Sequence, residues 1–199
     1  MENYDIKAIK KQLEKRLDEK RYEHSLGVAY TAAALAMKYH CDMEQAYTAG
    51  LLHDCAKYLN EKESVELCEK YKVELTPIER EFPFLIHAKL GSVLAKEKYD
   101  INDPEILSAI QWHTTGRGNM SLLEKIIFSA DYIEPGRKKI ENLTSIRETI
   151  FDDLDRAVYL ILANTIKHLE AKKQPIDEYS LKAIAFYEEV EKKTFNYGG

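Results

Sequence analysis

Apolar residues recur every three to four positions along most of this chain, which is the spacing of helices rather than of strands. The charged opening segment, for example, carries Ile6, Ile9, Leu13 and Leu17 on one stripe. No stretch alternates apolar and polar residues as a half-buried strand would, and no internal repeat is visible. The pattern therefore predicts an all-α fold.

Helix-start signals divide this pattern into separate helices. They comprise a capping aspartate, Thr-Pro and Asp-Pro starts, and two Ser-x-x-Glu capping boxes. The signals lie at Asp42, Thr76-Pro77, Asp103-Pro104, Ser121 with Glu124, and Ser145 with Glu148. The predicted helices include 5–17, 19–39, 43–59, 61–71, 153–172 and 177–193, and Pro83 is expected to interrupt the pattern before the helix FLIHAKLGSVLAKEKY.

Composition narrows the class of protein. Hydrophobic residues make up 45% and charged residues 32% of the 199 residues, which suits a packed soluble domain. The net charge of −5 argues against a nucleic-acid polymer as partner, because such binding neutralises phosphates. The three cysteines form no CxxC pair, and we expect free thiols in a reducing cytoplasm, with Cys55 a small buried hydrophobe. No apolar run approaches the ~18 residues of a membrane span.

The stretch GLLHDCAKYL places His53 and Asp54 inside an otherwise apolar run, where a charge must be paired or bind a metal. Similar surroundings hold His24, His87, His113 and Asp131, whereas His40 and His168 fit a helix end and a surface position. Four imidazoles and two carboxylates, one of them bridging, suit two metals better than a single tetrahedral ion. The pattern alone leaves both a metal site and ordinary hydrogen-bonded positions open.

The ordered set His24, His53-Asp54, His87, His113 and Asp131 resembles the HD-domain superfamily of metal-dependent phosphohydrolases, in its two-metal form. The strings RYEHSLGVA, AGLLHDCAK, HAKLGSVLA, AIQWHTTGR and FSADYIEPGR are similar to the bacterial YqeK-type symmetrical bis(5'-nucleosyl)-tetraphosphatases. That family cuts diadenosine tetraphosphate into two ADP. The resemblance implies one HD-type helical domain over 1–199, with a metal-binding core at about 18–135 and C-terminal helices at about 145–193.

The resemblance also implies roles for the site residues. One metal would be held by His24, His53, Asp54 and Asp131, with Asp54 bridging to a second metal that His87 and His113 complete. Iron is the expected metal, and manganese or zinc stays open. Two divalent ions with two carboxylates leave a positive centre that suits a polyphosphate, such as a dinucleoside polyphosphate. A homodimer is possible.

Basic and small residues beside these ligands are candidates for substrate contact. We expect Lys57 and Arg137 to act in catalysis together with Asp54. Phosphate contacts are expected from Lys89, Thr114, Thr115, Gly116, Arg117 and Arg137, although the charged members could instead be ordinary solvated side chains. Trp112 either packs in the core or flanks an adenine, and Glu134 has no assigned role.

Other functions remain open at this stage. The chain could be an HD-type nucleotide phosphohydrolase or phosphodiesterase with another substrate. It could also be a metal-containing nucleotide-binding regulatory module without turnover. A di-iron oxygenase is the last alternative, since related helical His-Asp sites carry out that chemistry.

Overall fold

The computed structural model of this chain describes residues 4–197, and the part described contains eleven α-helices, one short 3-10 helix and no strand. The predicted all-α class is therefore confirmed. The helices are α1 (Ile6–Arg16), α2 (Glu19–Tyr39), α3 (Met43–Leu52), α4 (Glu61–Tyr71), α5 (Pro77–Glu81), the 3-10 helix (Pro83–Ile86), α6 (His87–Tyr99), α7 (Pro104–Trp112), α8 (Leu122–Ile133), α9 (Leu143–Thr149), α10 (Leu154–Ala171) and α11 (Glu178–Tyr197).

Side-chain caps begin most of these helices, as the sequence predicts. Asp42 accepts a hydrogen bond from the Gln45 N–H at the start of α3, and Ser121 with Glu124 forms a reciprocal capping box before α8. The second predicted box is wrong. Helix α9 begins earlier, at Leu143, and Ser145 lies inside it. The preceding Asn142 has a left-handed backbone (φ 58°) that starts the helix without a side-chain cap.

Helix α3 ends at Leu52, although the apolar pattern predicts that it continues to residue 59. After Leu52 the backbone tightens into turns, in which the Cys55 N–H donates to the Leu52 carbonyl and the Lys57 N–H donates to the Asp54 carbonyl. These i to i+3 bonds are those of a tightened last helical turn. His53 and Asp54 consequently lie in a turn and are not restricted to the directions of regular α-helical neighbours.

Helix α2 is the centre of the fold and packs against both α3 and α8. A small residue permits the first of these contacts, because a Cβ added to Gly50 would lie 2.9 Å from the Cα of Ala29. Helices α6, α7 and α8 continue the packing, and α10 covers α8 and pairs with α11. Within residues 4–197, no helix combines the length and apolar character needed to cross a membrane.

Candidate metal centre

Five structural elements bring the predicted ligand set together. His24 lies on α2, His53 and Asp54 lie in the turn after α3, and His87 begins α6. His113 follows α7 and Asp131 lies on α8. The centre is buried: His53 is 0% exposed, and Asp54 and His113 are each 3% exposed. Six side chains spread over more than half of the chain thus meet in the interior of the helical fold.

Backbone carbonyls orient three of the four histidines of this centre. Each of the three donates its Nδ1–H to the carbonyl three residues earlier. The pairs are His53 with Gly50 (2.7 Å), His87 with Phe84 (2.8 Å) and His113 with Ile110 (2.7 Å). This hydrogen bond fixes the tautomer and leaves the Nε2 lone pair free to bind a metal ion.

The fourth histidine, His24, is oriented by a carboxylate. Its Nδ1 lies 3.1 Å from Oε1 of Glu134, a residue that is only 4% exposed. The same carboxylate also accepts a hydrogen bond from the N–H of Gly136. Gly27 makes room for it, because a Cβ at Gly27 would lie 2.7 Å from Glu134 Oε2. Glu134 had no role from sequence; its position three residues after Asp131, on the same side of a helix end, is the signal that could have assigned one.

The two oxygens of Asp54 face different histidines. Oδ2 lies 3.4 Å from His53 Nε2 and 3.9 Å from His24 Nε2. Oδ1 lies 3.5 Å from the Nε2 atoms of both His87 and His113. The carboxylate therefore divides the centre into two sides, each with at least two imidazole nitrogens.

Asp131 completes the side of the centre that contains His24. Its Oδ1 lies 3.0 Å from His24 Nε2 and 3.8 Å from His53 Nε2. Two groups of residues could each hold a metal ion, because the ligand atoms within each group all lie within 4.8 Å of one another. The first group is His24, His53 and Asp131, and the second is His53, Asp54 and His113. His53 belongs to both groups, whereas the resemblance assigns it to one metal.

The protonation states of Asp54, Asp131 and His87 suit metal ligation. His24 differs: burial favours its neutral form, but the hydrogen bond and the charge of Asp131 outweigh burial and raise its pKa. Burial alone would raise the pKa of Asp54, but the neighbouring imidazoles of His53 and His113 hold that pKa well below its ordinary value. Asp131 behaves alike: burial opposes ionisation, while the hydrogen bond to His24 and nearby charges keep its pKa low. Burial lowers the pKa of His87 to about 3. Ionised carboxylates and neutral imidazole are the forms that bind a cation, so the donor set fits a divalent metal.

Two arginines border the centre. The Nη1 atom of Arg21 lies 2.7 Å from Asp54 Oδ2. Arg137 Nη2 pairs with Asp131 Oδ1 at 2.5 Å, and its Nε donates to the Asp131 carbonyl. Arg137 is among the residues predicted from the sequence, whereas Arg21 is not. Its spacing of three residues before His24, one helical turn away on α2, is the signal that could have found it.

Of the other predicted site residues, Thr114 lies at the centre, and Lys57 lies on the turn that carries Asp54. Thr114 Oγ1 is 3.0 Å from His87 Nε2 and 3.1 Å from His113 Nε2. Lys57 is exposed on the turn that carries Asp54. That Lys57 acts in catalysis stays a prediction.

Two further basic residues are paired elsewhere. Lys89 Nζ lies 2.7 Å from Glu79 Oε2, and Arg117 makes a forked contact with the buried carboxylate of Glu124. Neither side chain contacts the metal-ligand set. That they bind phosphate stays a prediction, and the ion pairs hold both of them in place without a ligand.

The next residues of the loop after His113, Thr115 and Gly116, make other contacts. Thr115 accepts a hydrogen bond from Ser180 through its carbonyl, and Gly116 has the positive φ of 63° that favours glycine. Trp112 is half-buried, with its ring centroid 4.8 Å from that of Tyr179. That Thr115 and Gly116 contact substrate stays a prediction.

Cys55 is 1% exposed and its pKa is raised by burial to about 12, as expected for a small core residue.

Comparison with known proteins assigns the family. The profile of the HD domain matches residues 21–136, a segment that holds all six of the converging side chains. The chain belongs to the HD domain family. HD domains bind divalent metals, and the His/Asp cluster of this HD domain could hold them.

Two similar proteins within the HD domain family have the same name. A protein of Halalkalibacterium halodurans is 42% identical over 80% of this chain and 84% of its own length. One of Staphylococcus aureus is 35% identical over 92% of this chain and 94% of its own. Both are named symmetrical bis(5'-nucleosyl)-tetraphosphatase, so the resemblance seen in the sequence is confirmed.

A solved structure supports the HD-type helical fold. The crystal structure of a predicted HD superfamily hydrolase involved in NAD metabolism, from Clostridium acetobutylicum, superimposes with a TM-score of 0.90 at 40% identity. The match covers 94% of this chain and 99% of that one. The helices after the HD segment are therefore part of the shared architecture.

Proposed function

We propose that this chain is a metal-dependent hydrolase that cleaves diadenosine tetraphosphate symmetrically into two ADP. The main observation in support of this proposal is the position of the Asp54 carboxylate. Its two oxygens face separate sets of imidazole nitrogens in a buried, ionised centre. The substrate class is supported by relatives of that name, 35–42% identical over 80–92% of the chain.

We propose the following ligand assignment. One metal is held by His24, His53, Asp54 and Asp131, and the other by Asp54, His87 and His113. When bound, the two metals supply a nucleophile from water near neutral pH and neutralise phosphate oxygens. Among metals, iron is our choice, and manganese and zinc are the alternatives that the same donors accept.

The residues of the chain around the metals have separate tasks in this proposal. Arg21 and Arg137 present planar N–H donors that suit phosphate oxygens. Thr114 offers a hydroxyl on the His87 and His113 side, and Lys57 adds a positive charge from the turn. The three cationic side chains would offset the negative charge of the anhydride, and Thr114 would add a neutral hydrogen-bond donor.

The wider setting follows from the same features. The net charge of −5 is consistent with a small anionic substrate held at a local positive centre, and no nucleic-acid polymer is proposed as partner. All three cysteines are free thiols, which supports our proposal of a reducing cytoplasm. A homodimer stays a prediction.

Product analysis tests the proposal. The protein is purified, its metal content is measured, and diadenosine tetraphosphate is added before chromatography of the nucleotides. ADP as the sole nucleotide product is expected, and His53→Ala and Asp54→Ala variants should lose both metal and activity. ATP plus AMP would reject symmetric cleavage.

A second candidate is an HD phosphohydrolase or phosphodiesterase with another substrate. It is favoured by the C. acetobutylicum neighbour, whose description refers to NAD metabolism, and by 30% identity over 68% of this chain to a ribonuclease Y of Geotalea uraniireducens. The chain covers only 22% of that ribonuclease. Adding NAD and a short RNA to the substrate panel separates this candidate from the first.

A further inference from the structure

Two cavities reach the metal centre from different sides. The first, here called the α8–α10 cavity, has a volume of about 440 Å³ and touches the centre at His113, Thr114 and Asp131. The second, the α2 groove, has a volume of about 910 Å³ and touches it at Arg21 and His24. A bound substrate can therefore extend from the metal centre in two directions.

Arg137 lines both cavities. Its guanidinium is held beside the centre by Asp131, through both the side chain and the carbonyl of that residue. The guanidinium is thus fixed at the junction of the two spaces. A ligand that spans both cavities would therefore lie against this guanidinium.

The two cavities differ in chemistry. Beyond its contact with the cluster, the α8–α10 cavity is walled by the apolar side chains of Phe128, Tyr132, Ile140 and Ile161. Polar and charged side chains also line it, namely Lys139, Glu141, Asn164, Thr165, Lys167 and His168. Such aromatic and aliphatic surfaces suit the flat faces of a base, and the volume lies within the range of roughly 300–1,000 Å³ typical of small-molecule sites. The α2 groove also has apolar lining residues, including Leu26, Tyr30 and Pro135, but it carries more polar surface, with charged residues at the start of α2. These include Asp18, Glu19, Lys20, Arg21 and Glu23.

The wall of the α8–α10 cavity is held in place without a ligand. Asn164 on α10 donates from Nδ2 to the Tyr132 hydroxyl at 3.1 Å and also to the carbonyl of Glu141. Lys167 of the same helix pairs with Glu141 Oε1 at 2.9 Å. These contacts tie α10, α8 and the segment before α9 together, so the apolar space is formed in advance. A preformed site costs less ordering free energy on binding.

We infer that the α8–α10 cavity is the nucleoside site: it takes the base and ribose of one half of the substrate, while its phosphates pass Arg137 onto the metal centre. The α2 groove is left for the other half. This inference rests on the proposed function and extends it. Ile140, Ile161 and Asn164 lie after the matched HD segment of 21–136. The HD segment thus supplies the metal centre and the aromatic wall of the site, and residues that follow this segment complete the nucleoside site.

A filling substitution tests the inference. Thr165 lines the cavity from the middle of α10 and is half-buried. We expect Thr165→Trp to raise the KM for diadenosine tetraphosphate and the Kd for ADP at least about tenfold, with metal content unchanged. The control is Leu181→Trp, which adds the same side chain at a position that is 49% exposed and outside the cavity lining. It should leave all three quantities near those of the wild type.

A second pair of variants guards against misfolding of Thr165→Trp. Tyr132→Leu removes an aromatic wall, whereas Tyr132→Phe keeps the ring and loses only the hydroxyl. Because stacking on an aromatic ring contributes much of the affinity for a base, Tyr132→Leu should weaken ADP binding by about tenfold and Tyr132→Phe by much less.

The outcomes separate the inference from the proposed function. Wild-type KM and Kd in both Thr165→Trp and Tyr132→Leu, with the wild type still producing ADP, would overturn the nucleoside site alone. A wild type that forms no ADP from diadenosine tetraphosphate would reject the proposed function, and the ADP titrations would then still decide whether a nucleotide occupies this cavity.

Discussion

Glu134 Oε1 lies 3.1 Å from His24 Nδ1, which makes His24 the member of the four converging histidines that is oriented by a carboxylate. The other three donate to backbone carbonyls. A carboxylate partner raises the basicity of an imidazole ligand and fixes its ring more strongly than a neutral carbonyl does. Residue Glu134 is therefore a positioning residue that acts on the centre through His24.

Replacing Glu134 should weaken metal binding. We expect Glu134→Ala to lower the affinity for the metal by about 10- to 100-fold, the usual cost of losing such a partner. Glu134→Gln should lose less, because its amide oxygen can still accept the Nδ1–H of His24. Competition with a chelator of known affinity measures both.

A buried carboxylate that does not contact any ligand serves as control for this experiment. Glu79 is 5% exposed and pairs with Lys89. Glu79→Gln should reduce thermal stability without changing metal affinity. Equal metal affinity in Glu134→Ala and the wild type would show that His24 needs no carboxylate.

Gly27→Ala should disturb the same contact from the other side. The added Cβ would lie 2.7 Å from Glu134 Oε2, and this carboxylate is tied to His24 and Gly136, so it cannot move without losing a bond. We expect metal affinity to fall in the single variant. In a Glu134→Ala background the space is already vacant, and Gly27→Ala should then cost little. Additive losses in that double-mutant cycle would disprove the steric coupling.

Gly50→Ala tests the packing that places His53. Its Cβ would meet backbone atoms of α2, with the nearest at 2.9 Å, and backbone cannot rotate away as a side chain can. A loss of about 1–3 kcal/mol in the free energy of unfolding is expected. Gly91→Ala is the matched control, because its nearest neighbour would be the Ile110 Cγ2 atom at 3.4 Å. Chemical denaturation of both variants gives the comparison, and equal stabilities would contradict the account of the α2–α3 contact.

Arg137→Ala should affect turnover more than metal binding. Its guanidinium borders the centre without being a metal ligand, and removal of one donor to developing phosphate charge typically costs about 10²- to 10³-fold in rate. Metal content should stay at the wild-type value. The neighbouring Lys138 is exposed, so Lys138→Ala controls for the loss of a positive charge. Loss of metal in Arg137→Ala would make Arg137 a structural residue instead.

The sequence predicts the metal-ligand residues of this centre better than it predicts the helix ends around them. The six converging side chains could be found because each is a polar residue in an apolar helical pattern, which local spacing reveals. The end of α3 at Leu52 could not be predicted, because the residues after Leu52 still fit the apolar pattern of a helix. Only the i to i+3 hydrogen bonds in the structure show that the helix ends there. The local signal at Ser145 was likewise outweighed by the backbone at Asn142.

Ion pairs between neighbouring segments are a further feature that the sequence did not predict. Lys89 and Arg117 are predicted to contact phosphate because they follow His87 and His113 closely in the sequence, and that stays a prediction; their pairing with Glu79 and Glu124 was not predicted. Such pairings depend on how separate elements pack, which no local pattern encodes. Glu124 illustrates this, because it completes the predicted capping box and binds Arg117 with the same carboxylate.

Anomalous X-ray diffraction from crystals of the metal-loaded protein tests the central claim most directly. The account predicts two metal peaks roughly 3.5–4 Å apart, one on each side of the Asp54 carboxylate, with His24 and Asp131 at one peak and His87 and His113 at the other. A single peak, or metal bound away from Asp54, would contradict it.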